Sequence, residues 1–147
     1  MIGRIYKITS SSTEKIYIGS TTKKLTNRLR THEINYKAFQ NVNYHYIRSY
    51  DILEKENYKI ELLEKIEYET KRELLEREGY YIRKHRDICV NKCIAGRTDK
   101  QYEKDNAQYI NQKLECVCGR TYTRKHKARH DKTNIHIKYV SVNRLTE

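Results

Sequence analysis

The chain has 147 residues, of which 37% are apolar and 34% charged, and it carries a formal charge of +12. That length suits one compact domain, or a small domain with a minimal module, around a modest core. The excess of Lys and Arg points to a polyanionic partner, and no run of about 18 apolar residues is available to span a membrane.

Two runs rich in Ile and Tyr come first, Arg4–Ile8 and Lys15–Gly19, separated by the polar segment Thr9–Glu14. They predict an antiparallel hairpin. Helical periodicity begins after Ser20-Thr21-Thr22, whose hydroxyls are candidate caps. Leu25, Leu29 and Tyr36 fall on or near one face of this helix, and Arg28 and His32 share another at i, i+4 spacing. A less regular stretch suggests a helix around Tyr44–Leu53, and Tyr58–Ile66 alternates as a third strand. The strongest helical pattern runs from Glu67 to Arg86, with Leu74, Leu75, Glu78, Tyr81, Ile82 and His85 at helical spacing.

Composition changes after residue 96. Residues 97–113 are polar and poor in core-forming side chains, a linker that can be helical because Tyr102 and Tyr109 lie seven apart. Residues 114–138 then concentrate Cys, His and basic side chains, and residues 139–147 form a tail. The start of the chain, Met1-Ile2-Gly3-Arg4, opens directly into strand pattern without the apolar region of a secretory signal. Reduced or metal-bound cysteines in a soluble intracellular protein are therefore expected rather than disulfides among Cys89, Cys93, Cys116 and Cys118.

Glu78 is the first residue to invite chemistry. It follows Leu74 and precedes Ile82 by four residues each, so it projects from a largely apolar stripe. A carboxylate there is either solvated by a small rotation of the stripe or waiting for a cation, since an uncompensated burial costs several kcal/mol. Gly79 beside it costs roughly 1 kcal/mol against Ala inside a helix, which suggests close approach of a backbone or a ligand.

Ile5-Tyr6, Tyr17-Ile18-Gly19, Arg28 with His32 four residues on, Glu78 and Asn91 together resemble the ordered signature of the GIY-YIG nuclease family. The resemblance covers residues 1–96, with Arg4 standing where the first Gly of the name motif falls and Gly3 one place earlier. It implies an α/β (α+β) domain with a three-stranded antiparallel sheet flanked by helices, and a metal-dependent endonuclease that hydrolyses DNA. It implies Glu78 as ligand of a single Mg2+ (or Mn2+), a hard cation suited to one carboxylate completed by water and phosphate oxygens. Arg28 is expected to stabilise charge on the phosphate. Tyr6 and Tyr17 are expected beside the attacking water, with His32 as a competing base and Asn91 either fixing the phosphate or closing a turn.

A second constellation lies at Cys116-Val117-Cys118-Gly119, followed by His130 and His136. Two thiolates on a tight hairpin and two imidazoles on a following helix suit tetrahedral Zn2+ in a small ββα-like finger, and the stretch is similar to short C2H2 fingers found with some viral-type members of the family. His126 is an alternative ligand one helical turn before His130, and an all-cysteine site with Cys89 and Cys93 is a remoter one. So short a polar segment needs the metal as its core. Arg120, Arg124, Lys125, Lys127 and Arg129 are candidate DNA contacts there. DNA is the expected partner, no membrane is expected, and a monomer is favoured. The readings set against an active homing-type enzyme are a catalytically inactive DNA- or protein-binding module on a nuclease fold, and a structure-specific repair nuclease.

Overall fold

The computed structural model describes residues 1–143, and the chain divides into two compact units, Met1–Arg97 and Thr98–Glu147. In the first unit, β1 (Ile2–Ser10) and β2 (Thr13–Thr21) form the expected hairpin, and β3 (Tyr58–Glu67) pairs antiparallel on the other side of β1. The strand order β2-β1-β3 makes β1 central. Its alternate side chains therefore point to two opposite cores. Ile5 packs with Ile16, Ile18, Tyr68, Leu74 and Ile82, whereas Tyr6 and Ile8 pack with Ile52, Leu25 and Leu29. Full burial of Ile5, Ile8, Ile18, Ile52 and Ile82 contributes roughly 1.5–3 kcal/mol each. The neighbouring pairs Ile5-Tyr6 and Tyr17-Ile18 thus divide between the two faces: the isoleucines hold one core and the tyrosines enter the other.

The first core is covered by α3 (Lys71–Lys84), which starts at Thr70, whose side chain caps Glu73 N. This helix is shorter than the periodicity from Glu67 to Arg86 suggests, because Glu67 completes β3 and pairs with Ile2. A Cβ on Gly79 would stand 2.2 Å from the carbonyl oxygen of Ala95, so a crossing backbone, not a ligand, explains this glycine.

The second core is covered by α1 (Leu25–Gln40) and the short α2 (Tyr50–Leu53). The hydroxyls of Ser20–Thr22 do not cap α1. Lys24 occupies the N-cap without a side-chain bond, Ser20 and Thr21 belong to β2, and the Thr21 hydroxyl accepts from Lys23 N. The helix expected around Tyr44–Leu53 is likewise reduced to the single turn of α2. Tyr46, Tyr50 and Phe39 instead form a ring cluster with centroids 5.3–5.8 Å apart, side-chain packing that produces aromatic periodicity without a helix.

The second unit has α4 (Asp99–Asp105) and α5 (Ala107–Ile110) where a polar linker is expected, α4 being secured by a capping box between Thr98 and Gln101. A small hairpin follows, β4 (Lys113–Glu115) with β5 (Thr121–Thr123), then α6 (Lys127–Asp131) and α7 (Asn134–Asn143). The expected finger with one helix is thus a hairpin followed by two, and α7 occupies the first residues of the expected tail. Residues 144–147 of that tail lie outside the described residues.

Candidate active site and metal centre

Tyr6 and Gly19 are register partners on β1 and β2. A Cβ on Gly19 would lie 2.5 Å from Tyr6 Oη and 2.7 Å from its Cζ, so the glycine makes room for the tyrosine ring. Tyr6 is fully buried, and its hydroxyl accepts from Arg28 Nε at 2.8 Å. The same oxygen lies 2.8 Å from His32 Nε2, and His32 Nδ1 lies 2.9 Å from Ser49 Oγ. The i, i+4 spacing on α1 thus delivers both side chains to one phenol. Tyr17 meets the same group from β2, its ring edge-on to His32 at 5.5 Å.

Glu78 comes from α3. Its Oε2 accepts from Ser20 Oγ at 2.6 Å. Burial raises its pKa, opposed by the Ser20 hydrogen bond and by the charge of Arg28. It is therefore a part-buried carboxylate whose charge is incompletely compensated, a hard oxygen ligand that fits a divalent cation completed by water and phosphate oxygens. Burial also raises the pKa of Tyr6 and Tyr17, although the Arg28 charge pulls both down. His32 is lowered to about 4, first by burial and then by Arg28, so near neutral pH it is an uncharged imidazole able to accept a proton on one nitrogen.

Asn91 serves the site indirectly. Its Oδ1 accepts from Ile18 N at 2.9 Å and its Nδ2 donates to Ile18 O at 2.8 Å, while Cys89 Sγ also donates to Oδ1. Ile16 pairs with the neighbouring segment through Ile16 N to Ile88 O and Val90 N to Ile16 O. The amide extends this pairing along β2 and holds the strand that carries Tyr17 and Gly19. Oδ1 and one Nδ2 proton are thus engaged by the main chain of Ile18.

Ser20 and Ser49 were missed by sequence reasoning. A serine carries little signal by itself, and Ser49 finds its partner 17 residues away. Ser20 could have been found, because it directly follows Tyr17-Ile18-Gly19 on the strand.

In the second unit, Cys116, Cys118, His130 and His136 offer ligand atoms that all lie within 4.8 Å of one another. Cys116 Sγ lies 3.2 Å from His136 Nδ1, and Cys118 Sγ lies 3.5 Å from His130 Nε2. Tetrahedral zinc with ligands at about 2.0–2.3 Å separates them by roughly 3.3–3.8 Å, so the set fits. The one-residue gap between cysteines works because the chain turns tightly: Gly119 N donates to Cys116 O and Gly119 takes a φ of +78°. His130 sits on α6 and His136 on α7, rather than on one helix. His126 Nδ1 instead pairs with Thr123 Oγ1 at 2.8 Å, away from the cluster.

Of the candidate DNA contacts, Lys125 pairs with Glu103 and Lys127 with Asp131. Arg124 donates to Gln112 and lies over the Tyr109 ring. Arg120 and Arg129 are exposed. No helix among the described residues is long and apolar enough to cross a membrane.

The family model for the GIY-YIG catalytic domain matches residues 2–93. Among solved structures, a mutant of the catalytic domain of the intron endonuclease I-TevI is 25% identical, with a TM-score of 0.48 over 65% of this chain and 97% of that one. A comparison with curated proteins found no match.

Proposed function

The chain belongs to the GIY-YIG family of nucleases, and from that premise we propose that it is a metal-dependent DNA endonuclease whose second unit is a zinc-stabilised DNA anchor. The observation that carries this reading is the gathering of Tyr6, Tyr17, Arg28 and His32 at one buried phenol, with Glu78 near enough for the Arg28 charge to act on it.

Glu78 would hold Mg2+ (or Mn2+), which when bound lowers the pKa of water and neutralises charge on a phosphate. Arg28 donates to Tyr6 Oη through Nε and has a planar fork whose remaining N–H groups suit phosphate oxygens. The Arg28 guanidinium would meet a phosphate while its charge favours a phenolate at Tyr6, against the effect of burial. Tyr6 then takes the proton of the attacking water as its own proton passes to His32 Nε2. Tyr6 and His32 thus act in series, and Tyr17 packs beside them. Ser20 keeps the Glu78 carboxylate oriented, and Asn91 holds β2.

In the second unit Cys116, Cys118, His130 and His136 would hold Zn2+, and Arg120, Arg124, Lys125, Lys127 and Arg129 would meet phosphates. Supercoiled plasmid incubated with Mg2+ tests the reading. The wild type is expected to nick or linearise it. Glu78→Gln is expected to cut about a thousand-fold more slowly while binding DNA almost unchanged. Full cleavage by that variant would remove Glu78 from the chemistry, and no cleavage by the wild type would favour a binding module.

A further inference from the structure

Ser49 immediately precedes α2, the position where a serine hydroxyl usually caps a helix. Here it makes no cap. Its backbone is already helical, with φ −62° and ψ −20°, and its Oγ turns to His32 Nδ1 at 2.9 Å. Ser49 is fully buried and His32 only 3% exposed, so water does not compete for this bond. The resulting chain runs from Arg28 Nε to Tyr6 Oη, to His32 Nε2, and through the ring to Ser49 Oγ.

The direction of the protons follows from what each atom can do. Arg28 Nε only donates, so Tyr6 Oη accepts that bond. The phenol proton is buried and needs an acceptor, and among the described hydrogen bonds His32 Nε2 is the one placed to receive it. A neutral imidazole that accepts at Nε2 carries its proton on Nδ1, which must then be donated to Ser49 Oγ.

We propose that Ser49 is a positioning residue that fixes His32 as the Nδ1-protonated tautomer, leaving Nε2 free to take the proton of Tyr6. At rest Tyr6 keeps this proton in a hydrogen bond, because burial raises the Tyr6 pKa and lowers that of His32. The transfer belongs to the attack on phosphate, where the Tyr6 O–H bond breaks as the His32 Nε2–H bond forms, giving a phenolate and an imidazolium that stabilise each other at hydrogen-bond distance. In that state both ring nitrogens are donors, and Ser49 Oγ still accepts from Nδ1. Ser49 therefore supports the ring before and after transfer, as a buried neutral acceptor. Its catalytic consequence rests on the nuclease reading above; the tautomer itself does not.

Long-range 1H–15N correlation spectra of the full chain report the tautomer without DNA or cleavage, with His32→Gln identifying the resonances. The wild type is expected to show Nδ1–H, with Nε2 unprotonated. Ser49→Ala should lose the single tautomer and lower kcat roughly ten-fold with little change in KM, because ring orientation and not DNA contact is affected. Ser49→Thr, which keeps the hydroxyl, should restore both. A wild-type spectrum with the proton on Nε2 overturns the proposal even if the alanine variant fails to fold. So does a Ser49→Ala protein that keeps a pure Nδ1–H ring. A wild type that shows the expected tautomer yet cuts no DNA leaves the positioning role standing and rejects the nuclease reading instead.

Discussion

The first unit buries Ile5, Tyr6, Ile8, Ile18, Ile52 and Ile82 on the two faces of a sheet, whereas His130 is the one buried side chain among the described residues of the second. In the first unit, hydrophobic burial supplies the frame and the polar chain from Arg28 to Ser49 is set inside it. In the second, Leu114 and Tyr122 are only half-buried, and the Cys/His cluster stands where a core would be. A site embedded in a core can change its protonation or lose a ligand and keep its fold; a site that substitutes for a core cannot. The comparison predicts that removing metal separates the two units.

The largest effect is expected from stripping the zinc proposed for the second unit. Structural zinc supplies about 10–16 kcal/mol of apparent folding free energy in small modules, more than a hairpin and four short helices can replace. Chelation, or Cys116→Ser, should collapse the amide resonances of residues 98–143 while those of the first unit keep their dispersion. The melting of the first unit should also be unchanged. Second-unit resonances that survive complete metal removal would show that the cluster is not its core.

That contrast also governs what the sequence revealed. The i, i+4 pair Arg28 and His32 was legible because a helix repeats its face, and Tyr6, Tyr17 and Gly19 because a strand alternates. Cys116, Cys118, His130 and His136 were legible because metal ligands are chemically distinctive. The sequence did not reveal Ser49, which depends on tertiary placement, nor the loss of helix before Tyr50. There α1 ends as Val42 takes a φ of +61° and Asn43 N bonds back to Ala38 O, although no glycine announces the turn. Asn91 was visible as a residue, yet its service to Ile18 depends on a pairing that brings together positions 73 apart.

The next effect concerns acid. His32 titrates near 4 in the fold, because of burial and then Arg28, against 6.5 when free. Between those values the unfolded chain takes up a proton that the folded chain refuses. This group therefore costs no stability above pH 6.5, and its neutral burial destabilises the first unit increasingly as pH falls toward 4. The loss is on the order of 3 kcal/mol across the window. Denaturant midpoints at pH 7 and pH 4.5 should fall further apart for the wild type than for His32→Gln. An equal fall in both would mean that His32 does not carry the penalty.

Two glycines sharpen the comparison at a smaller scale. Gly19→Ala drives a Cβ to 2.5 Å from Tyr6 Oη, and Tyr6 cannot retreat without breaking its bonds to Arg28 and His32. Overpacking of this kind costs about 1–3 kcal/mol, and cleavage should fall with it. Gly119→Ala meets nothing within 4 Å, so its cost is that of a φ of +78° alone, roughly 1 kcal/mol, paid in the second unit. Thermal melts of the two variants should order accordingly, with cleavage per bound complex impaired only in Gly19→Ala. A Gly119→Ala protein with equally impaired turnover would break the separation.

The smallest effects distinguish basic residues of the second unit that are held in ion pairs from exposed ones with no ion pair among the described residues. Lys125 and Lys127 are held by Glu103 and Asp131, whereas Arg120 and Arg129 have no ion pair among the described residues. A phosphate contact releases counterions, so each one lost should flatten the log–log salt dependence of binding by about 0.9 unit. Arg120→Ala and Arg129→Ala should approach that value. Lys125→Ala and Lys127→Ala should fall short of it, since each lysine already meets an acidic side chain, although a surface pair worth about 0–1 kcal/mol can yield to a phosphate. Binding measured across a salt series separates the two classes, and turnover of the bound complex should stay constant in all four because each of these residues belongs to the second unit and none to the catalytic constellation. Equal slopes for all four variants would mean that the ion pairs open on binding, and unchanged slopes would mean that the second unit does not anchor DNA through these side chains.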